Sequence, residues 1–212
     1  MNTQDEERIR REEILTLDGG IFHMFEGLYI EAITYSAGRA EDAFSRLDTA
    51  IKESREPEIV IAIAHEALTH VAGLSKFFWP ARNENPLYKA RGKKLRSAFG
   101  IDKSSALYNR ELRNALEHFD ERLDDFLLQD RVGNFYAAPT VGSISTLSNL
   151  DFVFRFLDTD QKIFVLFGKE YPFGSLRDAI NEILRKTEKM KTDGWQFSEP
   201  DIFANPTGSS IS

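Results

Sequence analysis

A guanidinium, an amide and an imidazole occur close together in the run RNALEH, residues 113–118. Asn114 and His118 are four residues apart, so on a helix they project from the same side, with Arg113 about 100° around the axis from Asn114. A guanidinium can bind phosphate oxygens, an imidazole can transfer a proton near neutral pH, and an amide can orient either partner. The run therefore predicts cleavage of an RNA phosphodiester without a metal, because the attacking 2′-hydroxyl belongs to the substrate.

Basic residues are concentrated just upstream of this run. Between positions 88 and 113, eight Lys and Arg residues face two acidic ones, in a chain whose formal net charge is −7. Such segregation of charge predicts a surface that steers a polyanion towards residues 113–118. The competing interpretation is that these cations serve solubility or pair with acidic helices of the same bundle. The residues that we assign to RNA binding are Lys89, Arg91, Lys93, Lys94, Arg96 and Arg110.

Helices are the elements that must position these groups. Apolar residues recur at helical spacing from Phe22 to Ile51, which predicts one long helix with a bend near Gly38. The run 58–78 is apolar on nearly every side, which is typical of a helix in the middle of a bundle. A short basic helix over 88–99 is predicted to follow.

The 113–118 run is predicted to lie on a long amphipathic helix that begins at Asp102 or Ser104 and ends near Gln129. One of its faces carries apolar residues that include Leu112, Phe126 and Leu127. Its polar face is crowded with acids, and the i, i+4 spacing predicts an ion pair between residues 113 and 117.

The second half of the chain has a different character. Residues 151–157 and 162–167 are predicted to form a β-hairpin, and residues 175–191 a final helix. The predicted fold class is mainly α, a helical bundle of four to five helices with an appended β-hairpin near the C-terminus. Residues 1–192 are expected to form the domain, with the hairpin at about 151–167, and residues 193–212 a loosely ordered tail.

Composition excludes several kinds of chemistry. The chain has no cysteine, which excludes disulfides, thiolate metal sites and a cysteine nucleophile. No glycine-rich phosphate loop, nucleophile elbow or EF-hand loop is present. Residues 1–13 contain no apolar signal region, and the most apolar stretch, 59–74, is too short to span a bilayer. We expect a cytoplasmic protein that uses no membrane, no cofactor and no metal.

The run also resembles the signature of the HEPN superfamily, small helical-bundle proteins marked by an Arg, usually a polar residue next to it, and a His four to six residues after the Arg. Arg113-Asn114 and His118 fit this pattern. The resemblance implies a homodimer in which two copies of the signature form one ribonuclease cleft. It implies that Arg113 binds the scissile phosphate, that His118 transfers a proton and that Asn114 positions both. The partners expected are a second copy of the chain, RNA and a restraining antitoxin-like protein.

Two other functions are compatible with the sequence. The first is a non-catalytic RNA-binding or protein-interaction module of the same fold, in which the signature is held in ion pairs, because the acids around His118 would repel an RNA backbone. The second is a metal-binding bundle in which Glu66 and His70, which share a helix face, join acids of neighbouring helices. Satisfied polar groups on a core helix are the simpler interpretation of that pair.

Overall fold

The centre of the fold consists of two long helices that follow each other in the chain, α2 (Glu26–Lys52) and α3 (Pro57–Phe78). They belong to a computed structural model that describes residues 3–82, 84–129, 135–147 and 149–197. The facing sides of the two helices carry buried alanines, which include Ala40, Ala43 and Ala67, and these small side chains allow close packing. α2 was predicted from its periodicity and α3 from its apolar run, and α2 continues through Gly38 as one helix.

Five further helices surround this pair in the described ranges. They are α1 (Thr3–Thr16), α4 (Pro86–Ala98), α5 (Arg110–Glu117), α6 (Phe119–Leu127) and α7 (Gly174–Thr192). The prediction of a mainly helical protein is confirmed, but the described residues contain seven helices instead of four to five. One reason is α1, which buries none of its residues and therefore has no apolar periodicity that a sequence pattern would reveal.

A small sheet lies between α6 and α7 in the chain. Its strands, in spatial order, are β1 (Thr140–Gly142), β2 (Arg155–Asp158), β3 (Ile163–Leu166) and β4 (Lys169–Pro172). β1 pairs parallel with β2, and the other two pairs are antiparallel. The predicted hairpin corresponds to β2 and β3, whereas β1 and β4 were not predicted. The β3–β4 turn needs positive φ at Phe167 and Gly168, 54° and 75°, which is why a glycine stands there.

Asp158 fixes the connection between β2 and β3. Its buried carboxylate accepts hydrogen bonds from the backbone N–H groups of Ile144, Asp160 and Gln161 at 2.8, 2.9 and 2.7 Å. Burial alone would raise the pKa of this carboxyl, but the three N–H groups outweigh it, so the pKa lies below its ordinary value. The ionised side chain thereby joins the turn to the segment that follows β1.

The chain returns to the start of α2 after α7. Phe197 donates its backbone N–H to the Glu26 carboxylate at 2.9 Å. Of the predicted tail 193–212, residues 198–212 lie outside the described residues. Within the described ranges, no helix combines the length and the apolar character needed to cross a membrane.

Candidate functional site

The helix that carries residues 113–118 is broken at its histidine. The sequence predicted one helix from about 102 to 129, but α5 ends at Glu117 and α6 begins at Phe119, with His118 between them at φ −113° and ψ 48°. The cause is packing against the sheet. The Phe119 ring lies 5.0 Å from the ring of Phe167, and the Phe126 ring lies 5.7 Å from it. Redirecting α6 brings both rings to this aromatic cluster, and Leu127, which was predicted to face the core, is exposed.

Arg113 points into the protein interior. The residue is only 7% exposed, and its Nη1 donates a hydrogen bond of 2.9 Å to the backbone carbonyl of Trp79. Its Nε is also buried and has no hydrogen-bond partner within the described part of the chain. The predicted ion pair with Glu117 does not form, because Glu117 instead binds Lys76 at 2.9 Å. The guanidinium is therefore a contact between α5 and the end of α3.

Two other arginines reach the same end of α3. Arg91 donates to the carbonyl of Lys76, and Arg96 donates to the carbonyl of Phe78. The last carbonyls of a helix have no partner inside the helix and carry the negative end of its dipole, so cations stabilise them. Gly92 makes this possible, since a Cβ at that position would lie 2.8 Å from the Phe78 carbonyl oxygen. Part of the basic segment thus stabilises the C-terminal end of α3.

His118 and Asn114 lie apart from the buried guanidinium. The His118 side chain is 53% exposed, and its Nδ1 lies 3.4 Å from the Glu121 carboxylate. Asn114 is half-buried and accepts the backbone N–H of His118 through its own backbone carbonyl at 3.0 Å. Of the three predicted catalytic residues, Arg113 is directed to the core and His118 to solvent. Within one copy of the chain, these two groups do not converge on a common pocket.

Asn114 lines a separate cleft of about 420 Å³ between α5, α6 and the sheet. The lining of this cleft contains two acidic residues, Glu111 and Asp125, and two basic residues, Arg122 and Lys169. Its formal charges therefore cancel. Tyr171 forms one wall. Burial raises the pKa of this phenol, the nearby Glu111 charge raises it further and Arg122 opposes both. Neither Arg113 nor His118 is among the described residues that line this cleft, which therefore lacks the predicted phosphate-binding and proton-transfer groups.

The six residues assigned to RNA binding divide into two sets. Arg91 and Arg96 bind carbonyls of α3, and Lys94 binds Glu26 at 2.8 Å together with two backbone carbonyls. The other three, Lys89, Lys93 and Arg110, are exposed. Half of the predicted cationic surface is therefore engaged inside the protein, and the structure offers a phosphate backbone fewer free cations than the sequence suggested.

The histidines of α3 face different surroundings. Burial lowers the pKa of His65, and the charge of Arg155 lowers it further, so this imidazole is neutral in its aromatic environment. Glu66 binds Arg46 at 2.6 Å, and His70 lies 3.6 Å from the same carboxylate. Among the described residues, no group of three or more His, Asp or Glu side chains is arranged to hold a metal. Glu66 thus has an arginine as its main partner.

Large apolar side chains are exposed near the start of α2, and no function was predicted for them. Six large apolar residues between positions 17 and 35 are 39–80% exposed. We name this set the apolar face: Leu17, Phe22, Met24, Phe25, Leu28 and Tyr35. The spacing of Leu28 and Tyr35, seven residues apart, places them on one side of α2. The signal was present in the sequence, but the periodicity analysis assigned Phe22, Phe25 and Leu28 to the core stripe of the long helix.

Comparison with protein-family models finds no match to this chain. No curated protein matches it. No solved structure matches it either. The resemblance to the HEPN superfamily therefore rests on the six residues 113–118.

Proposed function

We propose that this protein is a non-catalytic protein-interaction module whose apolar face, Leu17 to Tyr35, binds a second copy of the chain. The observation that carries the proposal is the exposure of that face. Large exposed apolar patches in soluble proteins mark interaction sites, and aromatic residues and Met are enriched in interface cores. The burial of Arg113 supports the non-catalytic part of the proposal, because a guanidinium bound to the Trp79 carbonyl is not free to bind phosphate.

The size of the apolar face supports a protein partner. Large apolar side chains have a surface of about 150–250 Å² each, so six residues that are 39–80% exposed present on the order of 700 Å². The largest apolar patch of a typical monomer covers about 300–600 Å². A stable interface buries about 800 Å² on each partner. The apolar face is thus close to the area that one side of an interface requires.

The neighbouring helix α1 supports a second copy as that partner. α1 has 14 residues, and none of them is buried. A helix of this length is marginal in water by itself, and all residues of α1 except Ile14 and Leu15 are exposed, so contact with a second copy would stabilise it further. It directly precedes the apolar face in the chain, so a two-fold axis near Leu17 would cover α1 and the face together. In such a contact the same surface is used by both copies.

Charge disfavours RNA as the partner. The formal net charge is −7, and Arg91, Lys94 and Arg96 are engaged with other parts of the protein. Affinity for nucleic acid depends on the number of free cations that replace counterions on the phosphates. Of the six residues assigned to RNA binding, only Lys89, Lys93 and Arg110 remain exposed, which halves the number of assigned cations available to a strand.

Hydrogen exchange at two protein concentrations tests where the copies meet. We expect the amides of α1 and of residues 17–35 to exchange more slowly as the concentration rises from about 1 to 100 µM, because dimerisation suppresses local opening. The amides of α7 serve as an internal control and should keep their rates. Equal exchange of residues 3–35 at the two concentrations would exclude this surface as the interface.

A metal-independent homodimeric ribonuclease, with a restraining antitoxin-like partner, is the second candidate. The spacing of Arg113 and His118 and the exposure of the imidazole favour it. Incubation of assorted RNAs with the purified protein in EDTA distinguishes the two candidates. For an interaction module we expect no products that end in cyclic phosphate, with the wild type and His118→Ala indistinguishable. Cleavage by the wild type that His118→Ala abolishes would establish the ribonuclease and refute the non-catalytic proposal.

A further inference from the structure

A second cleft lies away from residues 113–118. It has a volume of about 700 Å³ and is bounded by the start of α2, one side of α4 and the chain at Gln196 and Phe197. This volume lies within the range of about 300–1,000 Å³ that is usual for small-molecule sites. Its walls combine apolar residues, Ala90, Ala98 and Phe197, with polar side chains.

A buried carboxylate organises these polar groups. The Glu26 side chain is 5% exposed, and its two oxygens contact Lys94 at 2.8 Å, His23 at 3.3 Å and the N–H of Phe197 at 2.9 Å. Burial alone would raise the pKa of Glu26, but the bonds from Lys94 and Phe197 outweigh it and place the pKa below its ordinary value. The carboxylate is thus a fixed negative group that connects three separate parts of the chain.

His23 is oriented by this carboxylate. Its Nδ1 faces Glu26, whereas the side chain is 62% exposed at the rim of the cleft. An ionised carboxylate at Nδ1 favours the proton on that nitrogen, and in the neutral ring Nε2 then carries the free lone pair. In that form of the ring, His23 offers a hydrogen-bond acceptor at the rim of the cleft.

Lys93 supplies the available positive charge. Lys94 is fully occupied, since its ammonium contacts Glu26 and the carbonyls of Asp18 and Ile21. Lys93 also lines the cleft, is exposed and has no acidic partner in the part of the chain that the structure describes. Ser97, four residues further along α4, lines the same cleft. Because Glu26 and Lys94 neutralise each other, a ligand in the cleft would contact the positive charge of Lys93.

We propose that this cleft binds a small organic anion, in which a phosphate or carboxylate group contacts Lys93, a donor group contacts Nε2 of His23 and an apolar or planar part packs against Ala90, Ala98 and Phe197. Apolar walls with a few convergent polar groups are the usual composition of such sites. The cleft borders the apolar face, because His23 stands between Phe22 and Met24 in the chain, whereas Lys93 on α4 lies outside that face. The cleft also contains none of the residues 113–118, so its occupancy and any ribonuclease activity are separate properties.

Isothermal titration calorimetry of the full chain with three probes tests the proposal. AMP and benzoate represent the phosphate and the carboxylate, and adenosine is the neutral counterpart of AMP. We expect at least one of the two anions to bind saturably with a Kd below about 1 mM, and adenosine to bind at least tenfold more weakly than AMP if AMP is the ligand. The identity of the binding anion then distinguishes the two chemical sources. Failure of both anions to bind would overturn the proposal.

Variants locate the binding. Lys93→Ala and His23→Ala should each weaken the binding of the anion at least tenfold, since each removes a polar contact of the ligand. Lys89→Ala is the matched control, because Lys89 precedes Lys93 by one turn on α4 and does not line the cleft. Circular dichroism of each variant verifies that it is folded. An affinity that Lys93→Ala leaves unchanged, or that Lys89→Ala reduces equally, would place the ligand elsewhere and overturn the proposal.

Discussion

Arg113→Ala is expected to lower the free energy of unfolding by about 2–3 kcal/mol, which corresponds to a loss of roughly 5–10 °C in Tm for a chain of this size. The guanidinium is almost completely buried and donates to the Trp79 carbonyl at the end of α3. Its removal leaves that carbonyl without its partner and opens a cavity between α3 and α5. Thermal and urea unfolding followed by circular dichroism would measure the loss.

Two variants of the same region control for charge and for the neighbouring histidine. Arg110→Ala removes the same side chain from an exposed position at the start of α5, and we expect a change within about 0.5 kcal/mol. His118→Ala should also be nearly neutral, because the exposed pair with Glu121 contributes little. Wild-type stability of Arg113→Ala, combined with the loss of an RNA-cleaving activity, would contradict a structural role and support the ribonuclease.

The sequence was informative where burial produces a periodic pattern. α2 and α7 each bury one face, and their positions follow from apolar spacing, whereas the position of α3 follows from an apolar run. The mainly helical class and the β2–β3 hairpin followed in the same way. α1 escaped detection because none of its residues is fully buried. β1 and β4 escaped because they bury no residue and one residue, whereas β2 and β3 bury three each.

The candidate site was harder to predict because long-range contacts determine it. The helix over residues 102–129 has a continuous amphipathic pattern, yet packing of Phe119 on the sheet aromatics breaks it at His118. The local sequence around Arg113 likewise contains no sign of its partner, the carbonyl of Trp79, which lies 34 residues earlier. The i, i+4 spacing places Asn114 and His118 on one helix face only if the helix continues through His118, and it does not.

Leu28→Glu is expected to convert a dimer of this chain into a monomer. Leu28 is 69% exposed in one copy and lies within the apolar face, so a contact between two copies would bury it. A carboxylate at that position must then lose its hydration without gaining a partner, and the two-fold symmetry introduces two of them. We expect dimerisation to weaken at least about 100-fold, whereas the stability of the monomer should change by no more than about 0.5 kcal/mol.

Leu128→Glu is the matched control for this substitution. Leu128 is 83% exposed at the end of α6, outside the apolar face, and the change adds the same charge. We expect this variant to associate as the wild type does. Equal weakening by both variants would mean that net charge, and not the apolar face, governs association.

Sedimentation equilibrium of the wild-type chain over about 1–100 µM is the most direct measurement of whether the apolar face joins two copies. The predicted result is a mass that approaches twice 24.2 kDa as the concentration rises, with Leu28→Glu remaining at 24.2 kDa under the same conditions. A wild-type mass of 24.2 kDa over the whole range would contradict self-association through this surface.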